Sequence, residues 1–249
     1  MNQKTVIITG AAKGIGAACA KTFEAQRLNL GLLDAAFPGE AEEAASKISL
    51  RCDVSVASEV KRSVEAVYRK FGRIDWLINN AGIQRYGSVT GTTLEEWDEV
   101  MNVNLRSQFL CAKYAIPYMQ ERHAGVIVNI ASVQAFISQK NVAAYATAKS
   151  AILGLTRCIA IDYAPEIRCV AVCPGSIDTP MLRDAVALAD DPEAVMQENV
   201  DMHLTKRIGT PEEVAALVAF LCEDKAAFIT GQAIRIDGGL GLSIPGSGR

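Results

Sequence analysis

Short apolar runs alternate along this chain with longer stretches in which apolar residues recur every three or four positions. The short runs predict β-strands at 6–9, 28–33, 48–52, 74–78, 126–130, 167–173 and 232–236. The longer stretches predict helices at 17–25, 55–71, 94–103, 105–120, 144–163 and 211–221. Strands that alternate with helices favour a parallel sheet with helices on both faces. The pattern therefore predicts an α/β fold in which 1–249 forms a single domain.

Composition limits the partners and the compartment. Half of the 249 residues are hydrophobic and the formal net charge is −3, which gives no basic excess for nucleic acid. No apolar run approaches the ~18–20 residues of a membrane span. Because the first predicted strand starts at residue 6, we expect no signal peptide. Seven cysteines without CxxC spacing suggest buried free thiols in a cytoplasmic protein. With two histidines and no Cys/His cluster, we expect no metal site.

A glycine-rich turn follows the first predicted strand. Gly10, Gly14 and Gly16 lie there, with Lys13 and Ile15 between them. A strand, a glycine turn and a helix in that order let backbone N–H groups approach a pyrophosphate at the helix N-terminus. The spacing is Gly-x-x-x-Gly-x-Gly, and a tight turn alone could also require glycine. The context favours a dinucleotide site.

A hydroxyl, a phenol and an ammonium are predicted to meet at the end of the fifth strand. Ser132 follows that strand, and Tyr145 and Lys149 lie one helical turn apart on the next helix. We expect the positive charge of Lys149 to lower the pKa of Tyr145 from its usual value near ~10. Tyr145 could then exchange a proton with a substrate hydroxyl that Ser132 also holds. None of these groups accepts a hydride, so a cofactor is required. A packed tyrosine beside a solvated lysine is the ordinary alternative.

The ordered set of motifs resembles the short-chain dehydrogenase/reductase family. The matching residues span about 4–239 and are Thr9-Gly10-x-x-x-Gly14-Ile15-Gly16, Asn79-Asn80-Ala81-Gly82, Asn104, Ser132, Tyr145-x-x-x-Lys149 and Pro174-Gly175. The resemblance implies a Rossmann-type doubly wound sheet, a nicotinamide cofactor and a catalytic tetrad of Asn104, Ser132, Tyr145 and Lys149. It also implies that Asn104 acts through its backbone and a bound water in a proton relay. A polar residue at a helix junction is the alternative for Asn104.

Asp34, at the end of the second predicted strand, bears on the choice of cofactor. A carboxylate there accepts the ribose hydroxyls of NAD and repels the 2′-phosphate of NADP. At ~4 Å and an effective dielectric of ~20, two unit charges repel by ~4 kcal/mol. Lys13 argues the other way, because a basic residue before Gly14 accompanies NADP in some members of the family. A turn-capping role is the alternative for Asp34. We expect NAD.

The resemblance implies further cofactor contacts. Asp53 and Val54 would flank the adenine, and Thr179 would reach the nicotinamide carboxamide. The remaining expected contacts, besides the glycine turn, Tyr145 and Lys149, are Asn80, Ala81, Gly82, Pro174, Gly175 and Ile177. Asp53 could instead cap the segment at Ser55, and Thr179 could cap a helix.

The substrate region is expected to be covered by the segment 177–207. The candidate substrate contacts are Gln84, Arg85, Gln134 and Arg183, and we expect only one of the two arginines to face the pocket. This mixture favours a small polar substrate, and the resemblance suggests dehydrogenases of sugars, polyols and small hydroxy acids.

Two other functions stay open. A reductase of 3-oxoacyl carrier-protein substrates would share the tetrad, but it would need NADPH and a basic docking patch, against which Asp34 and the acidic balance argue. A catalytically silent NAD-binding scaffold or sensor would not need the complete tetrad.

The chain is expected to form a homotetramer. Apolar residues cover more than one face of the helices predicted at 105–120 and 144–163. One face covers the sheet, and the resemblance implies that the rest forms a dimer interface. The apolar, glycine-rich stretch 238–245 is expected to lie across a neighbouring subunit. Two isologous interfaces then produce a tetramer.

Overall fold

The structure is a computed structural model that describes residues 3–242. Across these residues the strands form one sheet, in the order β3-β4-β2-β1-β5-β6-β7-β8. The pairing of β3 with β4 is antiparallel, and the other pairs are parallel. The strands are β1 (Thr5–Thr9), β2 (Asn29–Asp34), β3 (Glu42–Ala44), β4 (Lys47–Arg51), β5 (Trp76–Asn79), β6 (Gly125–Ile130), β7 (Ile167–Pro174) and β8 (Ala233–Ile236).

Helices cover both faces of this sheet, as the alternating pattern predicts. In chain order they are α1 (Gly14–Ala25), α2 (Ala57–Phe71), α3 (Leu94–Met101), α4 (Ser107–Gln120), α5 (Ala143–Tyr163), α6 (Pro180–Val186), α7 (Pro192–Met202) and α8 (Pro211–Cys222). A π-helical turn, Asn102–Arg106, connects α3 to α4. The predicted Rossmann-type doubly wound fold is confirmed.

The central strands β1, β5 and β6 are largely apolar because alternate residues enter two separate cores. Val6 and Ile8 pack in the core that α1 and α8 cover, whereas Ile7 packs in the core under α2, α4 and α5. In the first core, Phe23 of α1 lies against Trp76 of β5, with 5.5 Å between ring centroids. Full burial of one such side chain contributes about 1.5–3 kcal/mol, so both faces of the sheet hold their helices firmly.

The strand order places a crevice at the carboxyl edge of the sheet. From β1 the chain turns first to β2 on one side, and it later crosses to β5 on the other side. Ligands of doubly wound folds bind where the strand order reverses in this way. Thr9, Asp34, Asn79, Ile130 and Pro174 end their strands at this edge.

Three elements and one thiol differ from the sequence predictions. Strand β3 and helices α6 and α7 were not predicted; every residue of β3 is exposed, so it carries no apolar signal. The expectation of buried thiols fails for Cys158, which is exposed on α5, while the other six cysteines are buried and free. Residues 243–245 of the predicted intersubunit tail lie outside the described residues.

Candidate active site

A cavity of ≈ 790 Å³ lies over the carboxyl edge of the sheet. Its walls come from the β1–α1 turn, the ends of β2, β5, β6 and β7, the start of α5, and helices α6 and α7. Most of the sequence-predicted site residues line this cavity; Gly16, Arg85, Asn104 and Arg183 do not belong to its described lining.

The floor of the cavity consists of two loops that are hydrogen-bonded to each other. Thr9 Oγ1 accepts from the backbone N–H groups of Asn80 (2.9 Å) and Ala81 (3.0 Å). In return, Asn80 Nδ2 donates to the carbonyl oxygens of Thr9 (2.9 Å) and Gly10 (3.1 Å). Gly10 has φ +64°, and a Cβ there would lie 2.9 Å from Ala81 Cα. The close approach therefore requires glycine at this position.

The start of α1 supplies donors to this floor. Lys13 precedes α1 and makes no side-chain cap, and the first turn holds no acidic residue. The first N–H groups of a helix lack intrahelical acceptors, and the helix dipole favours an anion there. Gly14 lies close to Thr179 across the cavity, since a Cβ at Gly14 would lie 3.3 Å from Thr179 Cγ2. The narrow passage and the free donors fit the pyrophosphate of a dinucleotide.

Asp34 ends β2 and lines the cavity. Its two carboxylate oxygens accept from the backbone N–H groups of Ala12 and Ala36, each at 2.9 Å. The turn-capping alternative is thus realised, and the same residue also lines the cavity. Lys13 also lines the cavity, as does Ala35.

Two further cofactor candidates also combine a local structural role with a place in the cavity lining. Asp53 Oδ1 accepts from Ser55 N (2.9 Å) and Ser55 Oγ (2.7 Å). Thr179 caps α6 by accepting from Leu182 N at 3.4 Å. The other expected cofactor residues that line the cavity are Gly10, Gly14, Ile15, Val54, Asn80, Ala81, Gly82, Pro174, Gly175 and Ile177. Gly16 lies behind the turn, where a Cβ would meet Gly10 O at 2.1 Å.

Ser132, Tyr145 and Lys149 come together in one wall of the cavity. Lys149 Nζ lies 5.5 Å from the centroid of the Tyr145 ring and donates to Ile130 O at 2.9 Å. Ser132 lies close enough to Tyr145 for its side chain to lower the pKa of the phenol. The Ser132 hydroxyl also accepts from Gln134 N at 3.1 Å, which orients it at the end of β6. The phenol, the hydroxyl and the ammonium thus face a common space.

Burial controls the ionisation of this group. Burial raises the pKa of Tyr145 to about 12, although the nearby Ser132 side chain acts in the opposite direction. Burial also lowers the pKa of Lys149 to about 8. The expectation that Lys149 would lower the pKa of Tyr145 is therefore wrong for the protein alone, because removal from water disfavours both charged forms.

Asn104 is fully buried in the π-helical turn Asn102–Arg106. Its Oδ1 accepts from Ile83 N at 2.8 Å, and its Nδ2 donates to Ile83 O at 2.9 Å. A Cβ at Gly82 would lie 3.1 Å from Asn104 Oδ1 and 3.5 Å from Lys149 Nζ. Asn104 and Lys149 therefore converge on the loop that follows β5. Turns of this π-helical type are frequent at functional sites.

The substrate candidates divide into two groups. Gln84 and Gln134 line the cavity. Arg85 and Arg183 do not belong to its described lining, so the expectation that one of them faces the pocket is wrong for this structure. Each forms a two-pronged ion pair on the surface, Arg85 with Glu99 and Arg183 with Asp178.

The cavity is also lined by residues that the sequence analysis did not single out as individual candidates. They are mostly neutral, and they include Tyr86, Ile137, Gln139, Met181, Val195, Asn199 and Leu240. Tyr86 also lies close enough to Tyr145 to influence its pKa. The Thr179-Pro180 and Asp191-Pro192 pairs, a cap followed by proline, are the sequence signal that could have revealed α6 and α7.

Two further properties concern the residues from 3 to 242. In that part of the chain no group of three or more His, Cys, Asp or Glu side chains is placed to hold a metal ion. None of its helices has both the length and the apolar composition needed to cross a bilayer.

Comparison with known proteins identifies the family of this chain. The family model described as enoyl-(acyl carrier protein) reductase matches residues 10–241. A curated relative, 2-(R)-hydroxypropyl-CoM dehydrogenase of Xanthobacter autotrophicus, is 39% identical over 95% of this chain and 98% of its own length. Dehydrogenase/reductase SDR family member 6 of Danio rerio is 36% identical over 96% of this chain and 98% of its own. The chain belongs to the short-chain dehydrogenase/reductase (SDR) family.

A solved SDR structure extends the similarity to the whole fold. Ligand-free aldohexose dehydrogenase of Thermoplasma acidophilum is 43% identical and superposes with a TM-score of 0.93 over 100% of this chain and 98% of that one. Membership in the SDR family makes this protein an oxidoreductase that acts on CH–OH groups with a nicotinamide dinucleotide. The glycine floor and the free donors of α1 fit such a cofactor.

Proposed function

We propose that this protein oxidises a secondary alcohol or hemiacetal hydroxyl of a small, neutral, polyhydroxylated substrate, using NAD. The observation that carries the proposal is the meeting of Ser132, Tyr145 and Lys149 in the cavity wall above the glycine floor. A base, an orienting hydroxyl and an ammonium at one place suit proton removal from an alcohol.

In this mechanism Tyr145 is the acid/base. Its phenolate takes the proton of the substrate hydroxyl, while the Ser132 hydroxyl donates a hydrogen bond to the same substrate oxygen. Lys149, whose pKa burial lowers to about 8, can lose or gain a proton near neutral pH and so passes the proton onward from Tyr145. The nicotinamide dinucleotide, when bound, supplies the hydride acceptor.

The remaining member of the tetrad, Asn104, has the role of a positioning residue. Its amide holds Ile83, and it approaches Gly82 on the same side as Lys149. We infer that Asn104 fixes the loop that lines the cofactor site and keeps space beside Lys149 for a water of the proton relay.

NAD is proposed over NADP because of Asp34. The carboxylate lines the cavity, and backbone N–H groups hold both of its oxygens in place. A fixed negative charge at this place repels a 2′-phosphate and can accept from ribose hydroxyls. The remaining expected cofactor contacts, including those of Asp53, Val54, Thr179 and the residues near Gly82, are proposed on the same basis.

A neutral substrate is proposed because the cavity supplies few cations. Of its described lining residues, the cationic ones are Lys13, at the start of α1, and Lys149. Arg85 and Arg183 are engaged by carboxylates outside the lining. The substrate end instead presents amides and hydroxyls, including Gln84, Gln134, Gln139 and Tyr86. Such groups suit the hydroxyls of a sugar or polyol better than the carboxylate of a hydroxy acid.

We also propose a cytoplasmic homotetramer. The six buried free thiols suit a reducing compartment. On α4 and α5, Ile152 and Ile159 face the sheet, while Phe109 and Ile161 are exposed. Apolar side chains on the outer face of these helices suit a subunit interface.

The test is a substrate screen that follows NADH absorbance at 340 nm. Aldoses and polyols are compared with the matching sugar acids and short hydroxy acids, each with NAD and with NADP. We expect turnover with NAD and a neutral polyhydroxylated compound, and no turnover by Tyr145→Phe. Turnover confined to acids would overturn the neutral-substrate proposal, and equal use of both cofactors would overturn the cofactor proposal.

A further inference from the structure

The segment that follows β8, 237–242, lies between two walls of the cavity. A Cβ at Gly239 would lie 2.7 Å from Leu204 Cδ1, beyond the end of α7. A Cβ at Gly241 would lie 2.5 Å from Ile137 Cδ1, in the loop that follows Ser132. We call 237–242 the bridging segment. Leu240, between these two glycines, lines the cavity itself.

Arg235 of β8 is connected to the bridging segment and to the loop after Ser132. Its Nε donates to Asp237 Oδ2 at 2.5 Å, and its Nη2 donates to Leu240 O. The other oxygen of Asp237 accepts from Gly239 N at 3.0 Å. The guanidinium carbon also lies 5.8 Å from the centre of the Phe136 ring. One side chain thus contacts both groups of residues.

The environment strengthens these contacts. The side chain of Asp237 is 8% exposed and that of Arg235 is 26% exposed, so water screens the pair less than the surface pairs of Arg85 and Arg183. The planar guanidinium bonds to a carboxylate and a carbonyl at once, which the single ammonium of lysine does less well. Gly238 and Gly239 both have a positive φ, and glycine is the residue with the greatest backbone freedom. The hydrogen bonds of Arg235 and Asp237 therefore help to fix the conformation of 237–240.

We propose that Arg235 is a positioning residue that sets substrate selectivity by fixing Leu240 and the loop 133–139 as walls of the substrate cavity. The inference rests on the proposed function in one respect, that the substrate occupies this cavity. Arg235 itself does not belong to the described lining of the cavity, so it acts through Leu240 and Phe136. The glycine floor lies after β1 and β5, and the hydrogen bonds that hold it do not involve Arg235.

Kinetics of Arg235→Met and Arg235→Lys test this role. We expect Arg235→Met to raise the KM for the alcohol substrate at least tenfold, with kcat within threefold and the KM for NAD within twofold of wild type. Arg235→Lys keeps a charge for Asp237 and should recover part of the lost selectivity. The control is Arg122→Met, which removes an ion pair with Asp75. Asp75 immediately precedes β5, at the amino ends of the strands and therefore away from the cavity. Equal changes in the KM values for substrate and NAD, or an unchanged substrate KM, would overturn the proposal.

Hydrogen exchange tests the same role without any substrate. The amides of Gly239 and Leu240 are bonded to Asp237 in the wild type. We expect Arg235→Met to accelerate exchange at least tenfold in 237–242 and in 133–139, while exchange in β1 and α1 stays unchanged. Unchanged exchange in both segments would overturn the role of Arg235 even if the protein turned over sugars. Accelerated exchange in a protein that oxidised no alcohol would support the positioning role and count against the proposed function alone.

Discussion

Asn104 holds both polar backbone groups of Ile83. Its Oδ1 accepts from Ile83 N at 2.8 Å, and its Nδ2 donates to Ile83 O at 2.9 Å. Because the Asn104 side chain is fully buried, water does not reach its amide group, and these two hydrogen bonds supply the partners that water would otherwise provide. This pairing fixes the loop after Gly82, which lies at the cavity beside Lys149.

Asn104→Asp is the sharpest test of this pairing. An aspartate keeps the size and can still accept from Ile83 N, but an ionised carboxylate cannot donate to Ile83 O. We expect a loss of about 1–3 kcal/mol in the free energy of unfolding and at least a tenfold fall in kcat. Urea unfolding and initial rates measure the two effects, with Asn102→Asp in the same π-helical turn as the control. Wild-type kcat in Asn104→Asp would remove this residue from the mechanism.

Tyr145→Phe should nearly abolish turnover and leave NAD binding close to that of the wild type. In the wild type, burial raises the pKa of Tyr145 to about 12, so the phenolate fraction increases with pH throughout the neutral and mildly alkaline range. The rate of alcohol oxidation should therefore rise from pH 7 to pH 10, and carbonyl reduction should be favoured toward lower pH. Initial rates in both directions measure this. A variant that kept more than about a tenth of the wild-type kcat would lose less than 1.4 kcal/mol, and Tyr145 would not be the base.

Cofactor choice can be changed at Asp34. The double variant Asp34→Ala with Ala35→Arg should shift the ratio of kcat/KM for NADP to that for NAD by more than tenfold, because it replaces a repelling charge with an attracting one. Asp34→Asn is the matched control, since it removes the charge but keeps an oxygen that can accept from a backbone N–H. It should weaken the discrimination without reversing it. An unchanged ratio in the double variant would contradict the electrostatic argument.

The parallel sheet could be predicted because its strands are buried on both faces and are therefore apolar throughout. The same reasoning misses β3, whose residues are all exposed, and α7, whose apolar face contributes to a cavity and is interrupted by polar residues. These elements are held by tertiary contacts that leave little periodic signal. Residues 102–106 show the same limit, since the sequence predicts a break there and the chain forms a continuous π-helical turn.

The site shows where sequence reasoning ends. The positions of Ser132, Tyr145 and Lys149 follow from strand and helix order, but the direction of the shift in the pKa of Tyr145 depends on burial, which the sequence does not specify. Arg183 forms an ion pair with Asp178, five residues earlier, and Arg85 forms one with Glu99, fourteen residues later. Neither arginine belongs to the described lining of the cavity. Leu240 lines the cavity, and its neighbours Gly239 and Gly241 pack closely against Leu204 and Ile137, contacts that the sequence does not specify.

The oligomeric state is open to direct measurement. Light scattering at micromolar concentration should give about four times the monomer mass of 26.6 kDa. Ile161→Glu places a charge on the exposed apolar face of α5 and should shift the protein toward smaller species, because burying an unpaired charge is unfavourable. Lys61→Glu on α2 is an exposed control. A wild-type mass near 26.6 kDa would rule out the tetramer.

Lys149 should make stability depend on pH in a defined window. Burial lowers its pKa from the ordinary 10.5 to about 8. Between these two pH values the unfolded chain binds one proton more than the folded protein, so the free energy of unfolding rises with pH. The stability gained by deprotonating Lys149 in the folded protein is fully present above pH 10.5, the pKa in the unfolded chain. It is lost as the pH falls through about 8, the pKa in the folded protein. Tyr145 acts in the opposite direction only above pH 10, because burial raises its pKa from 10.0 to about 12.

Lys149→Met removes the buried charge and should therefore flatten this dependence. At pH 7 the variant should gain up to about 3 kcal/mol in the free energy of unfolding from the absent charge. It should lose about 1 kcal/mol from the missing hydrogen bond to Ile130 O. The advantage over wild type should shrink as pH rises from 8 to 10. Urea unfolding at fixed protein concentration measures the difference, with Lys61→Met as the exposed control. A difference that stays constant from pH 7 to pH 10 would show that Lys149 carries its ordinary pKa in the folded protein.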